Sequence, residues 1–195
     1  MKFITIPLFL MLLVGCQTPS YEGNEKSPFY LVPVGSILKL TRELIIPANQ
    51  VAVYLQGGEV IPSGRINQYY PHCKFELLRR LDTPQTVQPD NFEITKAVQE
   101  IGHTVALDDL RLARVSVGIG VHIGMKGGDG SSLQAYSTRL VLRSARQPNV
   151  FRLSCGQEAL PHEGEHVSIS EMRKALGGMI TLELAGSAPA MGPPP

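Results

Sequence analysis

The chain of 195 residues lacks several features that would place it in a common functional class. After the N-terminal segment no run approaches about 18 consecutive apolar residues, so no later segment is predicted to cross a bilayer as a helix. Positive and negative side chains nearly balance, with 18 Lys and Arg against 17 Asp and Glu, and the pair Arg79–Arg80 is the only basic cluster. This balance leaves no electrostatic footprint for nucleic acid, which is therefore excluded as a partner.

Common catalytic signatures are also missing. The sequence contains no G-x-S-x-G nucleophile elbow. Its glycine-rich stretch 118–130 has no G-x-x-x-x-G-K-[ST] spacing, because Gly127 follows Lys126. That stretch instead predicts a β-hairpin with a flexible tip at residues 127–132.

The N-terminal segment carries the clearest pattern. Lys2 precedes an uncharged apolar run at residues 3–14, which is too short to span a hydrocarbon core of about 30 Å. A small residue and Cys16 follow, and this order is typical of a secretory signal. Residues 13–16, Leu-Val-Gly-Cys, resemble the lipobox of bacterial lipoproteins.

The resemblance implies that Cys16 receives diacylglycerol, that cleavage follows just before it, and that the new amino terminus is acylated. Three acyl chains on one residue make membrane attachment effectively permanent. In this family, Asp after the lipidated cysteine retains the protein at the inner membrane. Here the residue is Gln17. We therefore expect the protein to be anchored in the outer membrane, on its periplasmic face.

The resemblance and the composition together predict four parts. Residues 1–15 form the signal peptide, and residues 16–27 contain the lipidated cysteine and a flexible spacer of small, polar and turn-forming residues. Residues 28–184 form a single β-rich periplasmic domain. Residues 185–195 are rich in Pro, Gly and Ala and predict a disordered tail.

Cys73 and Cys155 are the other two cysteines, and an exported chain lies in an oxidising compartment. Each falls on the apolar side of an alternating run, as in the segments 73–77 and 151–155. We therefore predict a disulfide, which would be worth about 4 to 5 kcal/mol by closing a loop of about eighty residues. Two buried free thiols are the alternative.

Apolar residues alternate over short runs bounded by turn residues, which predicts strands. The first two runs, residues 37–44 and 50–60, are interpreted as a hairpin or as two sequential strands. The run beginning at Phe92 also contains good helix formers, so a helix at 92–101 stays open. The predicted strands are 37–44, 50–60, 72–79, 92–98, 110–123, 133–143 and 150–155.

One helix is predicted near the C-terminus. Ser168 and Glu171 form an S-x-x-E capping box, and Gly177 with Gly178 provides a stop, which places the helix at Ile169–Leu176. Residues 179–184 alternate again and predict a final strand. The fold class is therefore all-β, or mainly β with one short C-terminal helix. We expect an antiparallel sandwich or barrel of about seven or eight strands.

Residues 162–166, His-Glu-Gly-Glu-His, fit the H-E-x-x-H pattern and resemble the zincin metalloproteases. That chemistry needs a helix, because helical spacing brings both imidazoles to one Zn²⁺. Here Gly164 lies in the middle, and the capping box at Ser168 starts a separate helix. We interpret the motif as a hydrated loop, which leaves His162 and His166 as weak metal candidates and predicts no metal or other cofactor.

Residues 69–72, Tyr-Tyr-Pro-His, are interpreted as a rigid loop packed beside the disulfide, although they could line a binding surface. The whole pattern predicts a non-catalytic binding or scaffolding role in envelope assembly or maintenance. The expected partners are the membrane, through the lipid on Cys16, and an envelope protein or the cell wall. Two other functions stay open: a zinc-dependent envelope hydrolase using His162 and His166, and a carrier of a small apolar ligand.

Overall fold

A computed structural model describes residues 23–103 and 133–186 of the chain. The predicted strand at 110–123 and the hairpin tip at 127–132 lie outside these residues, as do the signal peptide, Cys16 and most of the predicted tail. The described part contains ten strands, one α-helix and a short 3-10 helix at Ser63–Arg65. The strands are β1 (Ile37–Leu40), β2 (Leu44–Ile46), β3 (Ala52–Gln56), β4 (Glu59–Ile61), β5 (His72–Leu77), β6 (Gln85–Val87), β7 (Asp90–His103), β8 (Gln134–Arg143), β9 (Val150–Ala159) and β10 (Ile180–Glu183).

Eight strands form one antiparallel sheet in the order β10-β1-β7-β8-β9-β5-β3-β4, which curls into a half-barrel. The remaining strands, β2 and β6, pair antiparallel as a separate small sheet. Register shifts between Ile94 and Lys96 on β7, and between Glu76 and Leu77 on β5, mark irregularities that increase local twist. The mainly β fold with one short C-terminal helix is therefore confirmed.

Helix α1 spans Ile169–Leu176, as the capping box predicted. It packs against β10 at one edge of the curled sheet and against β5 and β3 near the other edge. Its buried residues recur at helical spacing and face the core: Ile169, Met172, Ala175 and Leu176. The helix thus closes the open side of the half-barrel.

The space between sheet and helix is filled by apolar side chains. Phe75 and Phe92 are completely buried, and their rings meet edge to face with centroids 6.0 Å apart. The small sheet adds buried residues to the same core: Leu44, Ile46 and Val87.

Three expectations about the strands need correction. The runs 37–44 and 50–60 do not form a hairpin with each other, because β1 pairs with β7 and β10 instead. Each run also divides in two. Gly57 and Gly58 both have positive φ, 61° and 85°, which allows the tight turn that joins β3 to β4. The alternative helix at 92–101 is wrong, since the extended strand β7 covers these residues.

Candidate functional site

A groove of about 510 Å³ opens between helix α1 and the loop that precedes β5. This volume lies in the range of roughly 300 to 1,000 Å³ that is usual for ligand sites. The helix contributes one wall, the loop contributes the other, and the end of β3 with its turn lies between them. The lining residues are Glu171, Lys174 and Ala175 from the helix, Asn67, Tyr70 and Pro71 from the loop, and Gln56 and Gly57.

The side-chain amide of Gln56 organises the loop wall. Its Nε2 group donates to the carbonyl oxygens of Asn67, at 2.8 Å, and Tyr70, at 3.3 Å, while its Oε1 atom accepts from the Asn67 backbone N–H at 3.1 Å. The loop also bonds within itself, because the Tyr70 N–H donates to the Asn67 carbonyl at 3.2 Å. The backbone of this wall is therefore fixed before any ligand arrives.

The rings of Tyr69 and Tyr70 point outward from this fixed backbone. They are 56% and 63% exposed. The loop is held by hydrogen bonds, and its half-buried end, Pro71 and His72, leads directly into Cys73, so the loop lies beside the disulfide while its two tyrosines are mostly exposed. Exposed tyrosine on a rigid backbone is typical of binding surfaces, because little side-chain entropy is lost on contact.

Two charged side chains, Glu171 and Lys174, line the helix wall of the groove. The Glu171 carboxylate accepts from the Ser168 backbone N–H at 2.9 Å and from the Ser168 hydroxyl at 2.7 Å, so it is used by the helix cap. Lys174 is exposed, and none of the ion pairs within residues 23–103 and 133–186 includes it. The groove therefore carries a cation on its helix wall and an exposed tyrosine on its loop wall.

Two glycines fix the distance between the helix and the β3–β4 turn. The Gly58 N–H donates to the Ala175 carbonyl at 3.0 Å. At the helix end, Gly177 has φ 59°, and a Cβ atom added there would lie 2.4 Å from the Gly58 Cα. Only glycine fits this approach, so the two glycines hold the groove at its observed width.

The H-E-x-x-H residues lie in a turn and an extended loop, as predicted, and not in a helix. The His162 and Glu163 side chains are 69% and 65% exposed. His166 instead packs edge to face on Tyr136, with centroids 5.8 Å apart, and burial lowers its pKa. No group of three His, Cys, Asp or Glu side chains suited to holding a metal ion occurs among the described residues.

Cys73 and Cys155 are joined, with their sulfur atoms 2.06 Å apart, in agreement with the predicted pairing. Both are completely buried on the core side of the sheet. Within the described residues no helix is long and apolar enough to cross a bilayer.

The opposite face of the same two strands carries a nearly buried carboxylate, Glu76, whose side chain is 8% exposed. Lys74 Nζ lies 2.8 Å from it, the Arg152 guanidinium contacts it closely, and the Ser154 hydroxyl donates to it at 3.2 Å. Burial alone would raise the pKa of Glu76, but the hydrogen bonds and charges of Arg152 and Lys74 outweigh it and lower the pKa. This cluster holds neighbouring strands together.

Sequence reasoning named Tyr70 but missed Gln56 and Lys174. No local pattern distinguishes Gln56, because its partners lie eleven and fourteen residues further along the chain. Lys174 is one of several charged residues on the helix, and only the packing of α1 places it at the groove. No protein family, curated protein or solved structure matches this chain.

Proposed function

We propose that this protein is a lipoprotein of the outer membrane, anchored through Cys16, with a non-catalytic binding role in envelope assembly or maintenance. The lipobox-like residues 13–16 and the following Gln17 support the anchor and its location. The chain joins the folded part soon afterwards, since Glu25 already contacts Arg173 of helix α1. A tether this short keeps the domain close to the membrane and raises its effective concentration for partners there.

The groove between helix α1 and the loop is the proposed contact surface. The observation that carries this proposal is the backbone held by Gln56, which presents Tyr70 on one wall of the groove while Lys174 lies on the other. A matching partner combines an apolar or ring-shaped face with an anionic group, so that the ring packs on Tyr70 while the anion approaches Lys174. Segments of envelope proteins with acidic residues and the acidic peptides and sugars of the cell wall both have this chemistry.

The anchor is tested by growing cells that express the protein on labelled palmitate. The label is expected in the wild-type chain and absent from Cys16→Ser, and only the wild type should sediment with outer membranes. A wild-type chain without label, or a labelled Cys16→Ser, would contradict the anchor.

The contact surface is tested by placing a photo-crosslinking amino acid at Tyr70 in living cells. The matched control carries it at Leu78, which is 57% exposed and whose N–H bonds to Asn149 beside the β8–β9 turn, away from the groove. A discrete adduct is expected from position 70 alone, and it should weaken when Lys174→Glu reverses the charge. Identical adducts from both positions would reject the groove.

A further inference from the structure

A second apolar surface lies where the tether joins the folded domain. Residues 28–34, Pro-Phe-Tyr-Leu-Val-Pro-Val, run alongside β7 before β1 begins, and we call this segment the strap. Its start is fixed by Gln99, whose Nε2 group donates to the Pro28 carbonyl at 2.8 Å. Its end is fixed by the Gly35 N–H, which donates to the Ile94 carbonyl at 2.9 Å.

The strap is apolar on both of its faces. Val32 is 1% exposed, and Tyr30 packs against the core. The outward residues are apolar as well: Phe29 is 79% exposed, Val34 is 62% exposed and Leu31 is 37% exposed. The strap is an irregular segment, and a segment that covers a core needs apolar residues on its inner side only. The fold does not require the outer residues to be apolar, and exposed apolar residues grouped together are typical of interaction surfaces.

The tether reaches the domain at this same segment. The Gly23 backbone lies against the Tyr30 ring so closely that an added Cβ atom would be 2.0 Å from Tyr30 Cζ. Glu25 is held by Arg173, and its carbonyl accepts from the Ser170 N–H at 2.9 Å. Six residues lie between Cys16 and Gly23, so the two Cα atoms can be at most about 25 Å apart when the chain is fully extended.

We propose that the outer face of the strap, made of Phe29, Leu31 and Val34, lies on the lipid surface and orients the domain on the membrane. This inference rests on the proposed anchor at Cys16. We choose a bilayer as the partner of this face because the acyl chains on Cys16 would insert into the membrane. The short tether from Cys16 reaches the domain at the strap, so the strap lies near that membrane. Lys26 is exposed just before the strap and suits the anionic head groups of such a surface.

The orientation also agrees with a function in binding. With the strap on the lipid, Glu25 and its two partners on helix α1, Ser170 and Arg173, lie towards the membrane. The groove residue Lys174 follows Arg173 directly on the same helix, so the groove lies close to this side of the domain. The strap therefore restricts the directions in which a partner can reach the groove.

The chain contains no Trp, so one introduced Trp reports its own surroundings. We would purify the full lipidated chain as Phe29→Trp and, as the control, as Leu78→Trp, and confirm the lipid by mass. Both would be reconstituted in vesicles of phosphatidylethanolamine and phosphatidylglycerol, with and without bromine on the acyl chains. Fluorescence of Trp at position 29 is expected to be quenched several-fold more by the brominated lipid than fluorescence at position 78.

Each other outcome has a definite meaning. A lipidated chain with equal quenching at both positions overturns the inference and leaves the anchor intact. A blue emission at position 29 without bromine quenching means that protein covers the strap, and a dependence on protein concentration would identify a second copy of the chain as that cover. Either result also overturns the inference. A purified chain without lipid on Cys16 overturns the inference together with the proposed anchor.

Discussion

Cys73 on β5 lies directly opposite Cys155 on β9, with Cα atoms 4.0 Å apart although the two residues are 82 positions apart in sequence. The bond joins strands that are already neighbours in the sheet. It ties the part of the sheet formed by β3, β4 and β5 to the long strands β7, β8 and β9. The disulfide therefore acts chiefly by lowering the conformational entropy of the unfolded chain. It also keeps these two parts of the sheet together when the sheet opens.

Replacing both cysteines by alanine is expected to lower the free energy of unfolding by about 3 to 5 kcal/mol, because the unfolded chain regains the entropy of a long loop. Urea unfolding of the oxidised wild type, the reduced wild type and Cys73→Ala/Cys155→Ala measures this loss. The reduced wild type should fall close to the double variant. A reduced protein as stable as the oxidised one would show that the bond contributes nothing.

Local patterns predicted much of this fold. Helix α1 begins and ends at the predicted residues because its capping box and its stop both lie within residues 168–178. Most of the long strands were predicted because alternation persists over their length, as in β8 and β9. The same alternation placed both cysteines on the core side.

Pairing and site geometry could not be predicted in the same way. β1 pairs with β7 and β10, which lie far along the chain, and nothing within residues 37–40 specifies those partners. The groove depends on such distant contacts too. Gly177 of the helix meets Gly58 of a turn only because the sheet curls, and the strap lies beside β7 because β1, which follows it, pairs with β7.

Gly177→Ala is expected to lower the free energy of unfolding by at least about 2 kcal/mol, since the new side chain meets the Gly58 backbone and occupies a left-handed φ. The neighbouring Gly178→Ala is the matched control, because a Cβ atom there meets nothing within 4 Å. Thermal unfolding of the two variants gives the comparison. Equal losses in both variants would contradict the close approach of helix and turn.

Acid is expected to destabilise the protein partly through Glu76. Its folded pKa is lowered from the ordinary value of 4.5, so its stabilising effect is complete above that pH and is lost as the pH falls through the folded pKa. At neutral pH, Glu76→Gln should cost about 1 to 2 kcal/mol, because Arg152 and Lys74 lose a charged partner. Towards acid, the difference from wild type should shrink.

Urea midpoints measured from neutral pH to below 4.5 test this dependence. Glu59→Gln is the control, since Glu59 is exposed and belongs to none of the ion pairs seen in the described part of the chain. Its curve should run parallel to that of the wild type. A constant gap between Glu76→Gln and wild type at every pH would exclude a role for this titration.

Replacing Gln56 by alanine and replacing Tyr70 by alanine are expected to have different effects on the loop. Gln56→Ala removes the acceptor of the Asn67 N–H and the donor to two loop carbonyls, so the amides of residues 66–70 should exchange hydrogen faster, at a cost of roughly 1 kcal/mol in stability. Tyr70→Ala keeps every one of these backbone contacts and should leave the exchange unchanged. It removes only the exposed ring.

Hydrogen exchange read by mass spectrometry, together with cross-linking from a probe at Asn67, separates the two roles. Tyr70→Ala should lose the partner adduct while the loop stays protected, because the contact is gone and its support remains. Gln56→Ala should weaken the adduct and loosen the loop together, because Tyr70 is still present but no longer held. If Tyr70→Ala kept the full adduct, the ring would not be part of the contact. If the loop amides stayed protected from exchange in Gln56→Ala, the hydrogen bond from the Tyr70 N–H to the Asn67 carbonyl would be enough to hold the loop without the Gln56 amide.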